Sequence, residues 1–501
     1  MLALFLPLFL FFLLIGMPVF FAMLAAPGLL LISQDMSRDV ALMYRNIYSG
    51  IFSFPLLAIP FFMLAGELMN RGGITLRLVE FSQAIIGHVR GGLAQVNILS
   101  SMLFAGLSGS AVADTSALGS MLIPAMEKNG YTRRFSAAVT AASSVIGPII
   151  PPSGIMIIYA YVMEVSVAAL FAAGIVPGIL IGIGLMIVTN IMARQKGFPK
   201  AGRGLDRPEL AVPLPRSENI MSWLFGALGL AIVVQVFLRP VFDTETINAM
   251  SDATQTLIVF GAAIIVSLLI MVLLRNFLSK PMRNVTKRAV LPLLTPVIIL
   301  GGILGGLFTP TEASAVAAFY ALFIGLFVLR TLKPGDLPAV FSKAALTSSV
   351  VLLLVGAAMA FKTVVSLSHA AEDMAAWIVT LTENKLLLLL LINILLFVIG
   401  MFLDAGPAII ILGPILGPIF VSLGVDPVHF AMIMSVNLTV GLITPPMGLV
   451  LFVASSVSGE RVETISKTIL PFLAVEVLVI FLITYFPAVS LTIPRLLGLV
   501  Q

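Results

Sequence analysis

The sequence predicts an all-α polytopic membrane protein, and three observations support this fold class. Of the 501 residues, 60% are hydrophobic and only 10% are charged, with a mean hydropathy of +1.14. A water-soluble domain needs more polar surface to cover that apolar mass. The alternating polar and apolar pattern of an outer-membrane barrel is absent, which leaves spanning helices. Apolar stretches long enough to cross a bilayer recur at 1–33, 218–238, 256–274, 289–308 and 386–403.

Composition also excludes several functional classes. There is no cysteine, which removes disulfides, thiolate metal sites and cysteine nucleophiles. The histidines His88, His369 and His429 are too far apart in sequence for metal-ligand spacing. Neither a Walker phosphate-binding loop nor a GxSxG motif in a strand-turn-helix setting occurs, so we expect no ATP-driven pump and no enzyme. The net charge of +5 comes from short basic loops beside apolar segments, which points to membrane lipid rather than nucleic acid.

The chain divides into three parts. The first, residues 1–195, starts with an apolar run whose first charged residue is Asp35, and we expect this run to be a membrane segment and not a signal peptide. The second, residues 196–288, contains basic loops around two apolar spans, which predicts an inserted helical hairpin with both ends in the cytoplasm. The third part is 289–501.

The first and third parts share a duplicated motif. Residues 147–154 read GPIIPPSG and residues 441–448 read GLITPPMG, 294 residues apart (441 − 147 = 294). The same offset aligns Leu118, Gly119, Leu122 and Pro124 with Leu412, Gly413, Leu416 and Pro418. So many matches in one register indicate an internal duplication that the inserted hairpin separates.

Each octet predicts a broken helix. Two consecutive prolines remove two backbone donors and disfavour helical geometry in the preceding residue, and the flanking glycines tolerate unusual backbone angles. Within a membrane, the freed carbonyls are tolerated only where protein buries them or where they line a watery site. Corresponding interrupted helices in two duplicated halves are typical of secondary transporters, in which such carbonyls bind ions.

Upstream of each break lies a stretch that predicts a re-entrant helical hairpin. The first is GLSGSAVADTSALGSMLIP (106–124) and the second is GMFLDAGPAIIILGPILGP (400–418), each with a Gly-, Ser- or Pro-rich tip between apolar arms. Under the offset of 294, Asp404 falls opposite Ser110. The two tips are therefore related but chemically different.

Each tip, together with its broken helix, offers the oxygen ligands that Na⁺ prefers, so Na⁺ is the predicted coupling ion. The first candidate cation site comprises Ser108, Ser110, Asp114 and Thr115 with carbonyls from Gly147 to Pro151. The second comprises Asp404, Thr439 and Thr444 with carbonyls from Gly441 to Pro445. Interhelical hydrogen bonding is an equally available role for the individual hydroxyls.

Ionisable residues in apolar segments are functional candidates because inserting them in a membrane is costly. Besides Asp114 and Asp404, these are Glu312, which could cap or charge a half-helix end, and Lys362. Lys362 could face an anionic substrate, extend its ammonium group to the membrane interface, or pair with a carboxylate. The candidates for the substrate pocket are Ser143, Pro152, Glu312, Lys362 and Pro446.

The motifs quoted above, with LLAIPFFMLAGELMNRGGI (56–74) and GGLFTPTEASAVAAFYAL (305–322), resemble the large membrane subunit of TRAP (tripartite ATP-independent periplasmic) transporters of the DctM-like family. The resemblance covers about residues 1–195 and 289–495. It implies an inverted-repeat, elevator-type Na⁺ symporter in the cytoplasmic (inner) membrane of a bacterium or archaeon. It also implies a periplasmic substrate-binding protein that delivers a small organic acid, and a separate small membrane subunit of four helices.

Two alternatives stay open at this stage. The first is a stand-alone Na⁺- or H⁺-coupled dicarboxylate or ion transporter of the wider inverted-repeat superfamily, which needs no binding protein. The second is a passive channel, which we disfavour because a pore does not require duplicated carboxylate and hydroxyl tips. The hairpin at 218–274 is extra relative to the commonest form of the family, and the sequence does not define its role.

Overall fold

The prediction of an all-α membrane protein is confirmed. The computed structural model describes residues 7–9, 11–13, 15–33, 37–200, 202, 204, 205, 214–238, 252–367 and 384–500, and regular structure in those ranges is helical. Nine helices there are long and apolar enough to cross a membrane. A tenth span arises if Met43–Ile51 and Phe54–Arg71, which meet at a 54° bend, are counted together.

In the described part of the first half, nine helices have both of their ends defined. They are α1 Val19–Ser33, α2 Ser37–Ile51, α3 Ala58–Arg71, α4 Ile74–Ile86, α5 Gly92–Ser108, α6 Ala111–Lys128, α7 Arg133–Ser144, α8 Gly154–Met163 and α9 Val167–Gln195. A short 3₁₀ turn, Phe54–Leu57, precedes α3.

The remaining described helices follow the basic region. They are α10 Arg216–Leu238, α11 Asp252–Phe277, α12 Lys280–Leu304, α13 Pro310–Phe323, α14 Leu337–Leu367, α15 Lys385–Phe402, α16 Ala405–Ser422, α17 Pro427–Gly441, α18 Leu449–Ser458, α19 Val462–Tyr485 and α20 Ala488–Leu496. The predicted inserted hairpin corresponds to α10 and α11. Most of its acidic connection, 239–251, lies outside the described residues.

Helices of the two halves correspond under the sequence offset. Adding 294 to α6 gives 405–422, the bounds of α16, and adding it to α8 gives 448–457, one residue from α18. The predicted hairpin stretches, 106–124 and 400–418, each contain a turn between two helices, but the turn lies near the start of the stretch, so the observed hairpins are the longer pairs α5–α6 and α15–α16. The two predicted broken helices are α7–α8 and α17–α18. The boundaries 1–195, 196–288 and 289–501, and the inverted orientation of the halves, stay predictions.

Local sequence explains why each hairpin turns at its tip. Gly109 ends α5 at φ +60°, a left-handed conformation that favours glycine, and a Cβ there would lie 2.6 Å from the Pro152 carbonyl oxygen. Ser110 then caps α6 by accepting a hydrogen bond from Ala113 N at 3.4 Å. Asp404 occupies the same cap position before α16, accepting from Ala405 N at 2.8 Å.

Prolines also explain the two breaks. Helix α7 ends at Ser144, and α8 begins only at Gly154, after a segment that includes the cis peptide Pro151–Pro152. The second break contains the cis peptide Pro445–Pro446. Turn hydrogen bonds satisfy part of the interrupted backbone, such as Ile150 N to Ile146 O at 2.9 Å in the first break.

Elements of the two halves interlock. Helix α18 of the second half packs against α6 and α7 of the first, and α8 of the first packs against α16 of the second. We call α5–α8 with α15–α18 the interlocked core. Outside it, α2 and α3 pack against α14 and α13. The inserted hairpin packs against α12, and an ion pair between Arg77 and Glu218 joins α10 to α4.

Candidate cation and substrate sites

Asp114 is the centre of the first candidate site. It lies in the first turn of α6 and is fully buried. One carboxylate oxygen, Oδ1, accepts a hydrogen bond from the hydroxyl of Ser108 at the end of α5. The other, Oδ2, is buried and has no hydrogen-bond partner among the described residues. A carboxylate oxygen in this state is costly unless a cation or proton compensates it.

The first break approaches this free oxygen with its backbone. A Cβ added at Gly147 would lie 2.5 Å from Asp114 Oδ2, so only glycine leaves room for the carboxylate there. Helix α9 packs closely against the same break, because a Cβ added at Gly174 would lie 2.3 Å from the Ile149 carbonyl oxygen. The structure thus brings Asp114 and Gly147, predicted from separate motifs, into contact.

Hydroxyl groups extend the site along α7. The Thr115 hydroxyl lies 2.7 Å from Ser144 Oγ and 2.9 Å from the Ala111 carbonyl oxygen, and both hydroxyl residues are buried. Ser144 was missed by the sequence analysis, although it lies directly beside Ser143. Its signal was the pair of adjacent serines just before the break.

The other predicted residues of the first half divide into those that lie at the tip or the break and one, Ser143, that joins two helices. Ser110 caps α6, and its backbone N lies 3.3 Å from Ser108 Oγ. Pro151 and Pro152 are buried in the break, against Gly106 and Gly109. Ser143 instead joins α7 to α5, because its hydroxyl lies 2.8 Å from Ser101 Oγ.

A buried amide in each half anchors the hairpin to its broken helix. In the first half, Asn97 Nδ2 donates to Thr140 Oγ1 at 2.6 Å. In the second, Asn437 Nδ2 donates to Asn393 Oδ1 at 2.7 Å. Both contacts join the first arm of a hairpin to the first part of a broken helix. Sequence analysis missed these residues, whose signal was a polar amide inside an apolar helix.

The second candidate site has a different geometry. Asp404 is exposed, and among the described residues no hydrogen bond joins it to Thr439 or Thr444. Each threonine is buried and donates to a backbone carbonyl of α17, Thr439 to Ser435 O at 2.6 Å and Thr444, just beyond the helix, to Val440 O at 2.9 Å. Here the carboxylate and hydroxyl groups are not assembled as they are around Asp114.

The backbone of the second break nonetheless packs closely on its hairpin. A Cβ at Gly441 would lie 2.5 Å from the carbonyl carbon of Gly400, near the end of α15. Pro445 is half-buried, whereas Pro446 and Met447 are exposed. The second break is therefore open to its surroundings on the side of the Pro-Pro pair.

Glu312 and Lys362 each have a partner in the structure. Glu312 is exposed and forms a capping box with Thr309 at the start of α13, as the sequence suggested. Lys362 Nζ, on α14, lies 2.8 Å from Glu164 Oε1 and donates to Val162 O at 3.0 Å. The hydrogen bond that Lys362 donates to Glu164 lowers the pKa of the Glu164 carboxyl, which lies between α8 and α9. Of the three roles left open for Lys362, the structure shows the pair with a carboxylate.

A further buried carboxyl was also missed. Glu476 lies in α19 with no exposed surface, and in the part of the chain that the structure describes neither of its oxygens has a hydrogen-bond partner. Its signal was an ionisable residue in an apolar segment, the criterion that selected Asp114 and Asp404.

A comparison with known families agrees with this architecture. The family model described as "Tripartite ATP-independent periplasmic transporter, DctM component" matches residues 6–489. The chain belongs to this family. Its members are membrane permeases of secondary transporters, so the family predicted from the motifs is confirmed.

Similar proteins are named for different substrates. This permease is 36% identical over 471 residues to the C4-dicarboxylate TRAP transporter large permease protein DctM of Pseudomonas aeruginosa, covering 94% of this chain and 92% of that protein. It is 34% identical over 481 residues to the sialic acid TRAP transporter large permease protein SiaM of Vibrio cholerae, covering 96% and 95%. It is 35% identical over 484 residues to the isethionate TRAP transporter permease protein DctMQ of Oleidesulfovibrio alaskensis, covering 96% and 65%.

A solved structure shares the fold. The YdaH transporter of Alcanivorax borkumensis matches this DctM-family chain with a TM-score of 0.54 at 17% identity, covering 88% of this chain and 86% of that one. At that identity the match supports the architecture alone.

Proposed function

We propose that this chain is the large permease of a binding-protein-dependent importer that couples the entry of a small organic acid to Na⁺ by an elevator mechanism. The observation that carries the proposal is the pairing of Asp114 with the backbone at Gly147. A buried carboxylate oxygen without a donor faces a break in a helix, and a cation is the partner that this arrangement lacks.

The chemistry of the first site favours Na⁺ as the transported cation. In the described ranges, no three His, Cys, Asp or Glu side chains gather as a divalent or transition metal would require. Asp114 is accompanied by the hydroxyl-bearing residues Ser108, Thr115 and Ser144 and by break carbonyls. One carboxylate with neutral oxygens suits a hard monovalent cation, which bound here would neutralise Asp114.

The interlocked core supports an elevator movement. Both tips and both breaks belong to helices that pack across the duplication, so they would move as one unit and carry both candidate sites with them. Helices α2, α3, α13 and α14 and the inserted hairpin would form the scaffold. Lys362 and Glu164 then link the scaffold helix α14 to the end of α8.

The substrate that we propose is a small carboxylate. The similar permeases are named for C4-dicarboxylates, sialic acid and isethionate, all organic acids that are anions at neutral pH. Residues beside the two breaks, Ser143, Pro152 and Pro446, remain our candidates for the pocket. We expect a periplasmic binding protein to select the substrate, and a separate four-helix membrane subunit to complete the scaffold in the bacterial inner membrane.

Reconstitution tests this function. We would measure uptake of labelled organic acids into proteoliposomes that contain this chain and its small membrane subunit, with and without a Na⁺ gradient and the purified binding protein. Uptake that requires the gradient and the binding protein is the expected result. Gradient-driven uptake by this chain alone would identify the runner-up, a stand-alone transporter, and uptake down the substrate gradient without Na⁺ would identify a channel.

Asp114→Asn makes the test specific for the first site. The amide keeps the shape of the side chain but removes the charge, so we expect Na⁺ to stop stimulating uptake. Ser120→Ala is the matched control, because Ser120 lies on the exposed side of the same helix and its hydroxyl bonds only the Ala117 carbonyl. Unchanged Na⁺ dependence of Asp114→Asn would remove Asp114 from the site.

A further inference from the structure

Glu476 is a buried carboxyl that neither candidate cation site uses. It occupies the middle of α19, a helix whose hydropathy qualifies it as a membrane span. Its side chain has no exposed surface, and no N–H or O–H group of the described residues donates to either oxygen. Most buried polar groups in proteins have at least one partner, so this carboxyl requires an explanation.

Its immediate surroundings are apolar. On the same buried face of α19, Phe472 lies one turn before Glu476 and Ile480 one turn after it. The Phe472 ring contacts Phe135 of α7, with ring centroids 5.9 Å apart. Val475, the residue directly before Glu476, packs closely on α9, because a Cβ added at Gly184 would lie 2.5 Å from the Val475 side chain. Glu476 therefore lies in a close-packed contact between α19 and the first half of the chain.

No cation on the neighbouring helices compensates the charge. Helix α19 packs against α7, α9, α15, α17, α18 and α20. In their described parts, the ionisable side chains are those of Arg133, Arg134, Arg194, Lys385, His429 and Arg495, and none of them hydrogen-bonds Glu476. On α19 itself, Glu463 and Lys467 lie near the start and Tyr485 at the end. An ionised carboxylate at this position would be a buried, unpaired charge.

We propose that Glu476 is a proton-binding site within the membrane-spanning part of this permease. A proton is the ligand that fits, because it neutralises the carboxyl without needing the several oxygen ligands that a metal cation requires. The functioning protein thus carries one proton at Glu476, and its loss in alkaline solution leaves an unpaired carboxylate on the buried face of α19. This site is separate from the Asp114 tip and lies on a helix that follows the second break.

The direct test detects the proton itself and does not depend on transport. A protonated carboxyl has a C=O stretching band that infrared spectroscopy separates from that of a carboxylate. We expect the purified wild type at neutral pH to show a protonated-carboxyl band that Glu476→Gln lacks. Glu463→Gln, an exposed glutamate on the same helix, is the matched control and should keep the band. Identical spectra of wild type and Glu476→Gln in this region would overturn the proposal.

The same spectra separate a proton from Na⁺. If the band that Glu476→Gln removes persists when Na⁺ replaces K⁺ in the buffer, the ligand is a proton. If Na⁺ abolishes that band, the carboxylate holds Na⁺ instead, and the proposal is wrong.

The functional test rests on the proposed transport activity and uses equal pH on both sides of the membrane. Above the midpoint of the Glu476 titration, wild-type uptake should fall about tenfold per pH unit, as for loss of one proton. Glu476→Gln, which cannot lose a proton, should stay within about twofold over that range. If Glu476→Gln fails to assemble, Glu476→Asp replaces it and should keep the alkaline loss of uptake. A wild-type profile without any alkaline loss, or the same profile in Glu476→Gln, would contradict the inference.

Discussion

The contact between Gly147 and Asp114 predicts that Gly147→Ala impairs cation binding. The new methyl group would lie 2.5 Å from Asp114 Oδ2 and 3.1 Å from the Ser144 carbonyl oxygen. An ordinary van der Waals contact begins at 3.4 Å, so the carboxylate or the break must move by about 0.9 Å. Either movement changes the distance between the free carboxylate oxygen and the break carbonyls.

The size of the effect follows from the packing around the site. Adding a methyl group to a well-packed interior typically costs about 1–3 kcal/mol. If the cation-bound state bears this cost because binding needs both groups in place, its affinity falls by roughly 5- to 150-fold. We take this range as the expected increase in the Na⁺ concentration that gives half-maximal uptake.

The assay is Na⁺-dependent uptake into proteoliposomes, with the amount of assembled protein measured in parallel. Gly154→Ala is the control, because Gly154 begins α8 at the other end of the same break and a Cβ there meets nothing within 4 Å. We expect this variant to behave like the wild type. A wild-type Na⁺ response of Gly147→Ala, at normal assembly, would refute the assignment of the Asp114–Gly147 contact as a cation site.

Three further predictions concern the second site, the ion pair and the fold. Asp404→Ala should lose Na⁺-dependent uptake while the protein still inserts and assembles; normal Na⁺ dependence in the uptake assay would exclude Asp404 from a site. Lys362→Gln and Glu164→Gln should change the substrate concentration for half-maximal uptake equally, within about twofold, because the two side chains pair; a larger effect of the lysine variant alone would indicate substrate contact. Gly441→Ala should destabilise the protein by about 3 kcal/mol or more, because its methyl group meets rigid backbone. Its melting temperature should fall well below that of Gly261→Ala, whose new Cβ meets nothing; equal values would contradict this.

Much of the candidate site could be predicted from sequence because its parts break local rules. Prolines at 151 and 152 cannot continue a helix, and a carboxylate such as Asp114 is rarely placed in an apolar segment without a function. Their contact could not be predicted, because it depends on how α6 docks on the break. The difference between a buried Asp114 and an exposed Asp404 has the same origin, since both sequences place a carboxylate at the start of a hairpin arm.

Lys362 illustrates the limit of reading one segment at a time. The sequence identified a lysine in an apolar helix and offered three roles for it. Its partner Glu164 is 198 residues away, at the end of α8, and only the folded chain brings them within 2.8 Å. Glu476 shows the reverse case, because its position in an apolar span was visible in the sequence, but the lack of a partner was not.

Local chemistry and repetition therefore determined the class of this protein from sequence alone. The apolar spans, the offset of 294 and the Pro-Pro octets establish a duplicated helical transporter, because each depends on residues close together in the chain or on a repeated pattern. Tertiary structure decided which oxygens meet, which carboxyls are buried, and which charges are paired. These properties depend on packing between helices that are far apart in sequence, and a displacement of less than an ångström at a glycine such as Gly147 decides whether a site can form.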